Sequence, residues 1–508
     1  MHVLLFILFV VPSDCYKILA LLPYPGKSHY MVFEPILEEL TKRGHHLTVV
    51  SFFPSDKPEP NRRDVSLAHL ASLNVEVIDL KDLDRSYFGL ERYFEHIPLV
   101  TALAKSCLKL CEKIINSEVF EEFVRGEGDY DVILVEHFNS DCMLGIVHNY
   151  GLPSVGLMSS AILPWTPSRV GAPDNPAYVP GMTLPFTEEM NFYERLENTL
   201  VLLFYNTWYE WAIWREEQRI LERRLGRKLP LLSDVGRNTS VVLVNTHYSI
   251  NGVRVLPPSI VEIGGVHLHN RDVQPLTEPL DELVSAAKNG FILFSLGSLI
   301  RGSSLPKKRF DAIVKAFARM PQLILWKWEA DPVEDLPDNI LMLKWLPQYD
   351  LLNHPNCMAF VTHGGLLSLT EAVAAGVPSL IIPILGDQFG NAAHAQRAGV
   401  AEVLPFKDIE EESMFEALNK VLFWQKRQYA RLLREVWRDR PHQPMETAIF
   451  HIERTARFGG VEMSSHGRWL TRYQLAGLDL ITFVISIVVC VVYVFKCVCS
   501  KKLKKKQC

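Results

Sequence analysis

Residues 360–388 read FVTHGGLLSLTEAVAAGVPSLIIPILGDQ. An apolar run ends at Val361 and turns through Thr362-His363-Gly364-Gly365. The Ala/Leu-rich stretch after it is predicted as a helix stopping at Gly376, a residue type that adopts a left-handed C-cap without a Cβ penalty. Pro378 keeps that helix from resuming. Leu380 to Leu385 reads as a buried strand ending in Gly386-Asp387-Gln388. The order strand, Gly-Gly turn, helix, strand, polar tip places polar side chains at the carboxyl ends of two strands. In open α/β sheets ligands bind at such ends, and the N–H groups of a helix N-terminus suit a diphosphate.

The alternation extends outward on both sides. Ile18 to Leu22 is predicted as a strand, followed by the loop Pro23 to His29, an amphipathic helix from Met31 to Arg43 capped at Gly44, and a strand from Leu47 to Phe53. Val75 to Leu80, Val132 to Val135 and Val241 to Val244 supply further strands, and Val261 to Val266 leads out of the unit. Glu188 to Lys228 is a long helical region rich in aromatics and charges, and the proline-rich stretch 162–186 reads as an irregular loop over a cleft. A second unit contains strands at Phe291 to Leu296, Leu323 to Trp328, Met342 to Leu343 and Ala359 to Val361. The polar stretch 266–280, with two prolines, reads as the linker between domains at 16–265 and 281–456.

At 508 residues the chain exceeds one ordinary core, and 48% apolar with 22% charged residues is a globular composition. The net charge of −5 and the lack of a basic stripe exclude nucleic acid as a partner. The absence of GxGxxG argues against a nicotinamide enzyme. Gly26-Lys27-Ser28 is no P-loop, because Leu21 stands where its first glycine belongs. Asp82-Leu83-Asp84 has the DxD form of metal-dependent glycosyltransferases but is a three-residue pattern in a charged stretch. No CxxC pair suggests zinc, so no metal or other cofactor is expected.

The two ends point to a membrane. Met1 to Val11 is apolar and runs into Pro12-Ser13-Asp14-Cys15, the form of a signal peptide over 1–15. Segment 457–474 leads to 475–495, whose single charge is Asp479 and whose length spans a bilayer of roughly 30 Å. The lysine-rich tail 496–508 marks the cytoplasmic side, so the body is expected in the lumen as a single-pass type I protein. Lys505-Lys506-Gln507-Cys508 resembles the dilysine retrieval signal of endoplasmic reticulum membrane proteins. Nine cysteines are present; Cys107 and Cys111, one helical turn apart, read equally as buried thiols or a disulfide. Asn238-Thr239-Ser240 is the N-glycosylation sequon. Oligomeric state stays open, a homo-oligomer included.

Residues 360–388, with Lys344-Trp345-Leu346-Pro347-Gln348 ahead of them, resemble the signature of the UDP-glycosyltransferases, specifically the membrane-bound animal type of the UDP-glucuronosyltransferase family. Ser379 departs from it, since the family usually has an aliphatic residue there. The resemblance covers about residues 17–500 and is nearest to insect members, where glucose is the usual sugar. It implies an α/β GT-B fold, two Rossmann-like domains facing a cleft, and inverting transfer from UDP-glucose or UDP-glucuronate to a small lipophilic phenol or alcohol. By resemblance Trp345 stacks on uracil, Gln348 binds the nucleoside, and Glu371 accepts from ribose hydroxyls. His363, Gly365, Ser368 and Ser298 lie at the diphosphate, while Asp387 and Gln388 hold sugar hydroxyls, with Asn391 beside them. His29 matches the general base, whose imidazole suits deprotonation of an acceptor hydroxyl. Its carboxylate partner is either Asp141, of the residue type the family uses, or Glu136, at the strand end; Asp141 is favoured. A membrane-tethered protein that binds a nucleotide sugar or lipophile without turnover is the reading from another class.

Overall fold

The computed structural model describes residues 15–73, 77–81, 91–331, 333–460 and 463–505. Nearly all of the expected signal peptide, Asp82-Leu83-Asp84 and residues 506–508 of the dilysine tail lie outside them.

Short Val/Ile/Leu runs buried on both faces can satisfy their backbone only inside a parallel sheet covered by helices. The N-terminal sheet is built this way from β1 (Lys17–Leu22), β2 (His46–Ser51) and β3 (Arg62–Ser66). After the short β4 (Ile78–Asp79) it continues with β5 (Val132–Glu136), β6 (Ser154–Met158), β7 (Val241–Val244) and β8 (Ile260–Glu262). Its seven strands run in the order β3-β2-β1-β5-β6-β7-β8. The C-terminal sheet draws on β9 (Phe291–Ser295), and after β10 (Ile300–Arg301) on β11 (Leu323–Lys327), β12 (Ile340–Leu343), β13 (Cys357–Thr362), β14 (Ser379–Ile381) and β15 (Ala401–Val403). Its six strands run β12-β11-β9-β13-β14-β15.

In each sheet the chain builds outward on one side and then crosses to the other. The first switch falls between β1 and β5, which pair in parallel with Ile18 opposite Val132. The second falls between β9 and β13, with Thr362 opposite Ser295. A crevice opens at the carboxyl ends of strands at such a switch. His29, Glu136, Ser298 and His363 therefore stand where the chain leaves the sheets, at the two points where the topology makes room for a ligand.

Three expected elements differ. The first helix begins at Lys27, so His29 stands in its first turn rather than in a loop. The strand expected over Leu380 to Leu385 stops at Ile381, because Pro383 removes a ladder N–H. Residues 78–79 belong to no N-terminal strand: β4 pairs in parallel with β10 of the other domain, and Leu80 N donates to Ser304 Oγ at 2.8 Å. Leu80 is wholly buried in the core that also holds Ile300, Leu305 and Trp326.

The chain crosses back at its other end. Helix Pro444–Phe458 places Met445, Ala448, Ile449 and Ile452 in the core formed by β1, β2 and the first helix, Lys27–Lys42. Arg43 Nη2 to Glu446 Oε1, at 2.6 Å, fastens it. The expected range 281–456 therefore ends in a helix packed on the N-terminal domain. Beyond it, helix Leu478–Lys505 carries an apolar stretch, Leu478–Cys497, long enough to cross a membrane and with none of its residues buried in the protein.

Candidate active site

His29 and Glu136 come from opposite sides of the first switch. The tight turn at Gly26, which receives N–H groups from His29 and Tyr30, starts the helix and points the imidazole along the ends of β1 and β5. His29 Nδ1 lies 2.8 Å from Glu136 Oε1. A carboxylate only accepts, so Nδ1 is the donor of this pair, and in a neutral imidazole the lone pair is then on Nε2. Tyr24 and Phe138 pack on the ring at centroid distances of 4.5 and 4.4 Å, fixing its plane. Beside them a small, partly open pocket is lined by Pro23, Tyr24, Leu110, Phe138, Met143 and Glu136.

Asp141 has another job, which corrects the preference for it. It lies beyond the strand end and is buried against Arg169, whose Nη2 donates at 2.5 Å, with Tyr209 OH at 3.1 Å and the Trp214 indole as further donors. Five residues past Glu136, Asp141 stands at the N-cap position of helix Cys142–Tyr150, with its side chain engaged in this buried cluster. Glu217 closes this cluster, accepting from Ser140 Oγ and from Asp141 N at 2.7 Å. Burial and the neighbouring Asp141 push its carboxyl up to about 8. Cys111 and Cys142 form a disulfide, leaving Cys107 as a buried thiol pushed up to about 12 by desolvation. The adjacent pair Cys107/Cys111 is therefore not the bridge.

At the second switch, His363 sits between two glycines. A Cβ on Gly297, at φ +78°, would fall 2.7 Å from its Cε1, and one on Gly365 would fall 2.5 Å from its Nε2. Only residues without a side chain leave space for this ring between the β9 turn and the helix N-terminus. Burial first, then Lys327, lowers His363 to about 4, so the ring is neutral and keeps one N–H to donate. Lys327, unmarked by any motif, supports the Gly297 turn from behind, with Nζ 2.9 Å from Gly297 O and 3.2 Å from Glu329 Oε1. Ser298 follows that turn, half-buried.

Helix Leu366–Ala375 begins at Gly365 and aims its free N–H groups at the same place. Ser368 and Glu371, one turn apart, are joined by Gln348 Nε2 at 3.1 and 2.8 Å. Arg271 from the linker donates to Glu371 Oε1 at 2.9 Å and lies over the Tyr349 ring. Burial raises the Glu371 carboxyl, while Arg271 and Gln348 oppose the rise. Arg271 escaped the sequence reading because the linker has no pattern. Trp345 stands 75% exposed above this group, an indole face with open space beside it.

Asp387 and Gln388 begin the next helix, Gln388–Arg397. Gln388 Oε1 accepts from Ile384 N at 2.8 Å and Leu385 N at 3.0 Å, the two N–H groups that Pro383 takes off the sheet. Only its amide nitrogen is left for a ligand. Asn391 donates to Asp387 Oδ2 at 3.1 Å and to Gly364 O at 3.0 Å, tying this tip to the Gly-Gly turn. Burial raises the Asp387 carboxyl, whereas the Asn391 bond and then His29 across the cleft lower it. The two halves thus meet within electrostatic reach. Asn238 lies apart on the surface, exposed at the end of helix Leu232–Arg237.

Comparisons with known proteins agree with this geometry. Residues 18–507 match the family described as "UDP-glucoronosyl and UDP-glucosyl transferase". UDP-glucosyltransferase 2 of Dactylopius coccus is 31% identical over 99% of this chain and 98% of its own length. UDP-glucuronosyltransferase 2B15 of Homo sapiens is 30% identical over 97% and 95%. Among solved structures, the calicheamicin glycosyltransferase CalG4 aligns with a TM-score of 0.54 at 16% identity, covering 88% of this chain and all of that one. The glycosyltransferase of kitacinnamycin aligns with a TM-score of 0.56 at 17% identity, over 86% and 98%. At such identities these two speak for the two-domain GT-B fold.

Proposed function

We propose, from the premise that this chain belongs to the UDP-glucosyl and UDP-glucuronosyl transferase family, that it transfers glucose from UDP-glucose to a hydroxyl of a small lipophilic acceptor with inversion at the anomeric carbon. The observation that carries the mechanism is the 2.8 Å contact between His29 Nδ1 and Glu136 Oε1, beside the partly open pocket. His29 Nε2 takes the acceptor proton as the oxygen attacks, and Glu136 stabilises the imidazolium that forms. UDP leaves as its bond to the sugar breaks. The charge on the departing diphosphate is met by the His363 N–H and by the N–H groups that open helix Leu366–Ala375.

On this reading Trp345 stacks on the base and Glu371 accepts from the ribose hydroxyls, while Asp387 and the Gln388 amide nitrogen hold the sugar. No metal is required on this reading, since the departing charge is met by N–H donors. The helix Leu478–Cys497 fits a membrane anchor; we assign the body to the lumen of the endoplasmic reticulum, with Asn238 accessible for glycosylation.

The test is transfer by microsomes containing the expressed chain, with a panel of phenols and either UDP-glucose or UDP-glucuronate, with and without EDTA. Glucoside formation that survives EDTA is expected. Glucuronide alone would replace the sugar assignment. UDP binding with no transfer from either donor would favour the non-catalytic reading.

A further inference from the structure

The helix that Asp387 and Gln388 begin, Gln388–Arg397, is held by the N-terminal domain as well as by its own. Gly390, Asn391, His394 and Arg397 recur at helical spacing and share the face that meets segments 182–189 and 247–253. Gly390 N donates to Met182 O at 3.3 Å, and a Cβ on Gly390 would fall 2.9 Å from that oxygen. A Cβ on Gly252 would fall 2.5 Å from Glu188 Oε1 and would also strike the His394 ring. Two glycines thus let the facing segments close up. Glu188 accepts from Val253 N at 2.8 Å and from Arg397, and Arg397 Nη2 donates to Glu189 Oε1 at 2.6 Å, which fastens the far end of the helix.

Within this contact one line of hydrogen bonds runs from the N-terminal domain to the Asp387 carboxylate. His247 N donates to Asn251 Oδ1 at 3.1 Å, and Asn251 Nδ2 donates to Asn391 Oδ1 at 3.4 Å. Asn391 Nδ2 then donates to Asp387 Oδ2 at 3.1 Å and to Gly364 O at 3.0 Å. Each amide can be used in one sense only. Asn391 spends both N–H bonds on a carboxylate and a carbonyl, which only accept, so its oxygen is the edge left for the other domain. Asn251 spends its oxygen on a backbone N–H, so its nitrogen is the edge it presents. A half-turn of either amide would set oxygen against oxygen. Asn391 is buried, and a buried amide depends on the protein for its partners.

We propose that Asn251 is a positioning residue for the donor sugar: by filling the oxygen edge of Asn391 it fixes the amide that orients the Asp387 carboxylate, so the acceptor-side domain sets part of the sugar recognition made in the other one. The inference rests on the reading of Asp387 as the residue that holds sugar hydroxyls. Asn251 itself touches no substrate on this account. Polarisation adds to the effect, since each bond in such a line makes the next amide a better donor. The sugar feels the residue and the nucleotide does not, because Gln348 and Glu371 stand on other helices.

The test uses the detergent-solubilised full-length chain. Calorimetry without acceptor measures the Kd of UDP and of whichever donor, UDP-glucose or UDP-glucuronate, the parent turns over. Asn251→Ala is expected to raise the Kd of the UDP-sugar roughly 3–10-fold, the loss of one hydrogen bond, while the Kd of UDP stays that of the parent. Asn251→Asp keeps the size and the bond from His247 N but turns an acceptor toward Asn391 Oδ1, and is expected to cost at least as much. In an Asn391→Ala or Asp387→Ala chain, Asn251→Ala is expected to have no further effect, as it must if it acts through those residues. A parent-like Asn251→Asp, equal weakening of UDP and UDP-sugar, or full additivity with Asp387→Ala each overturns the proposal. Asp387→Ala alone separates the premises: an unchanged Kd for the UDP-sugar there, or no turnover of either donor by the parent, removes the reading on which the inference rests.

Discussion

Glu136 Oε1 meets His29 Nδ1 at 2.8 Å, while Asp141 is held by Arg169 within the N-terminal core. The two carboxylates should therefore fail differently. Glu136→Gln and His29→Ala are each expected to lower turnover within the range of roughly 10²–10⁴-fold that general-base assistance supplies, with UDP affinity intact. Asp141→Asn leaves the Arg169 guanidinium buried without its counter-charge, a loss on the order of 3–5 kcal/mol of stability. Thermal unfolding alongside steady-state rates separates them; a folded Asp141→Asn enzyme slower than Glu136→Gln would reverse the assignment.

Arg271 opposes the burial that raises Glu371. Replacing it by Met should push that carboxyl further up, so the ribose-accepting form is lost as pH falls. UDP affinity of Arg271→Met, measured by calorimetry between about pH 5.5 and 8.5, should drop at the acid end and recover at the alkaline end, with Arg271→Lys near the parent. A weakening that is equal at every pH would mean Arg271 acts by shape alone.

Glu217 is pushed up to about 8 from an ordinary 4.5. In that window the folded chain holds a proton that the unfolded chain releases, so this residue's contribution to stability falls as pH rises from 4.5 to about 8. Glu217→Gln keeps the protonated shape without titrating. Its melting temperature should exceed the parent's most clearly near the alkaline end, and the gap should narrow toward the acid end. A gap independent of pH would refute the linkage.

The bridge between Cys111 and Cys142 spans 31 residues of chain, including β5 and Glu136. Closing a loop of that size removes unfolded-state entropy worth roughly 3–4 kcal/mol. Cys142→Ser should lower the unfolding midpoint accordingly. Cys107, at about 12, supplies little thiolate to attack the bridge, so a thiol-alkylating reagent under non-denaturing conditions should leave Cys107 unlabelled in the parent.

The C-terminal half was legible because its chemistry lies within one continuous stretch. Gly364, Gly365, Gly376 and Pro378 are backbone constraints, and each restricts the local path whatever the surroundings. Glu136 and Asp141 could not be separated that way. Both follow a readable strand, and their roles depend on Arg169 and on His29, 28 and 107 residues away. Arg271, Lys327 and the Cys111–Cys142 bridge share that property, since each acquires meaning only from a partner distant in the chain. Gln388 shows the opposite failure: its position was read from the signature, but half of its amide is spent on two N–H groups freed by Pro383.

Leu80 and helix Pro444–Phe458 have a bearing on recombination between relatives. Each domain borrows a piece from the far side of the linker, so the sequence has no single point at which acceptor and donor halves come apart. A chimera joined only within 266–280 would set one parent's Leu80 into the other's C-terminal core. It would also lay a foreign helix, with its Glu446, against the native Arg43. Exchange of acceptor specificity with both interfaces preserved therefore calls for more than the single linker junction: segment 77–81 travels with the donor half, and segment 440–458 travels with the acceptor half.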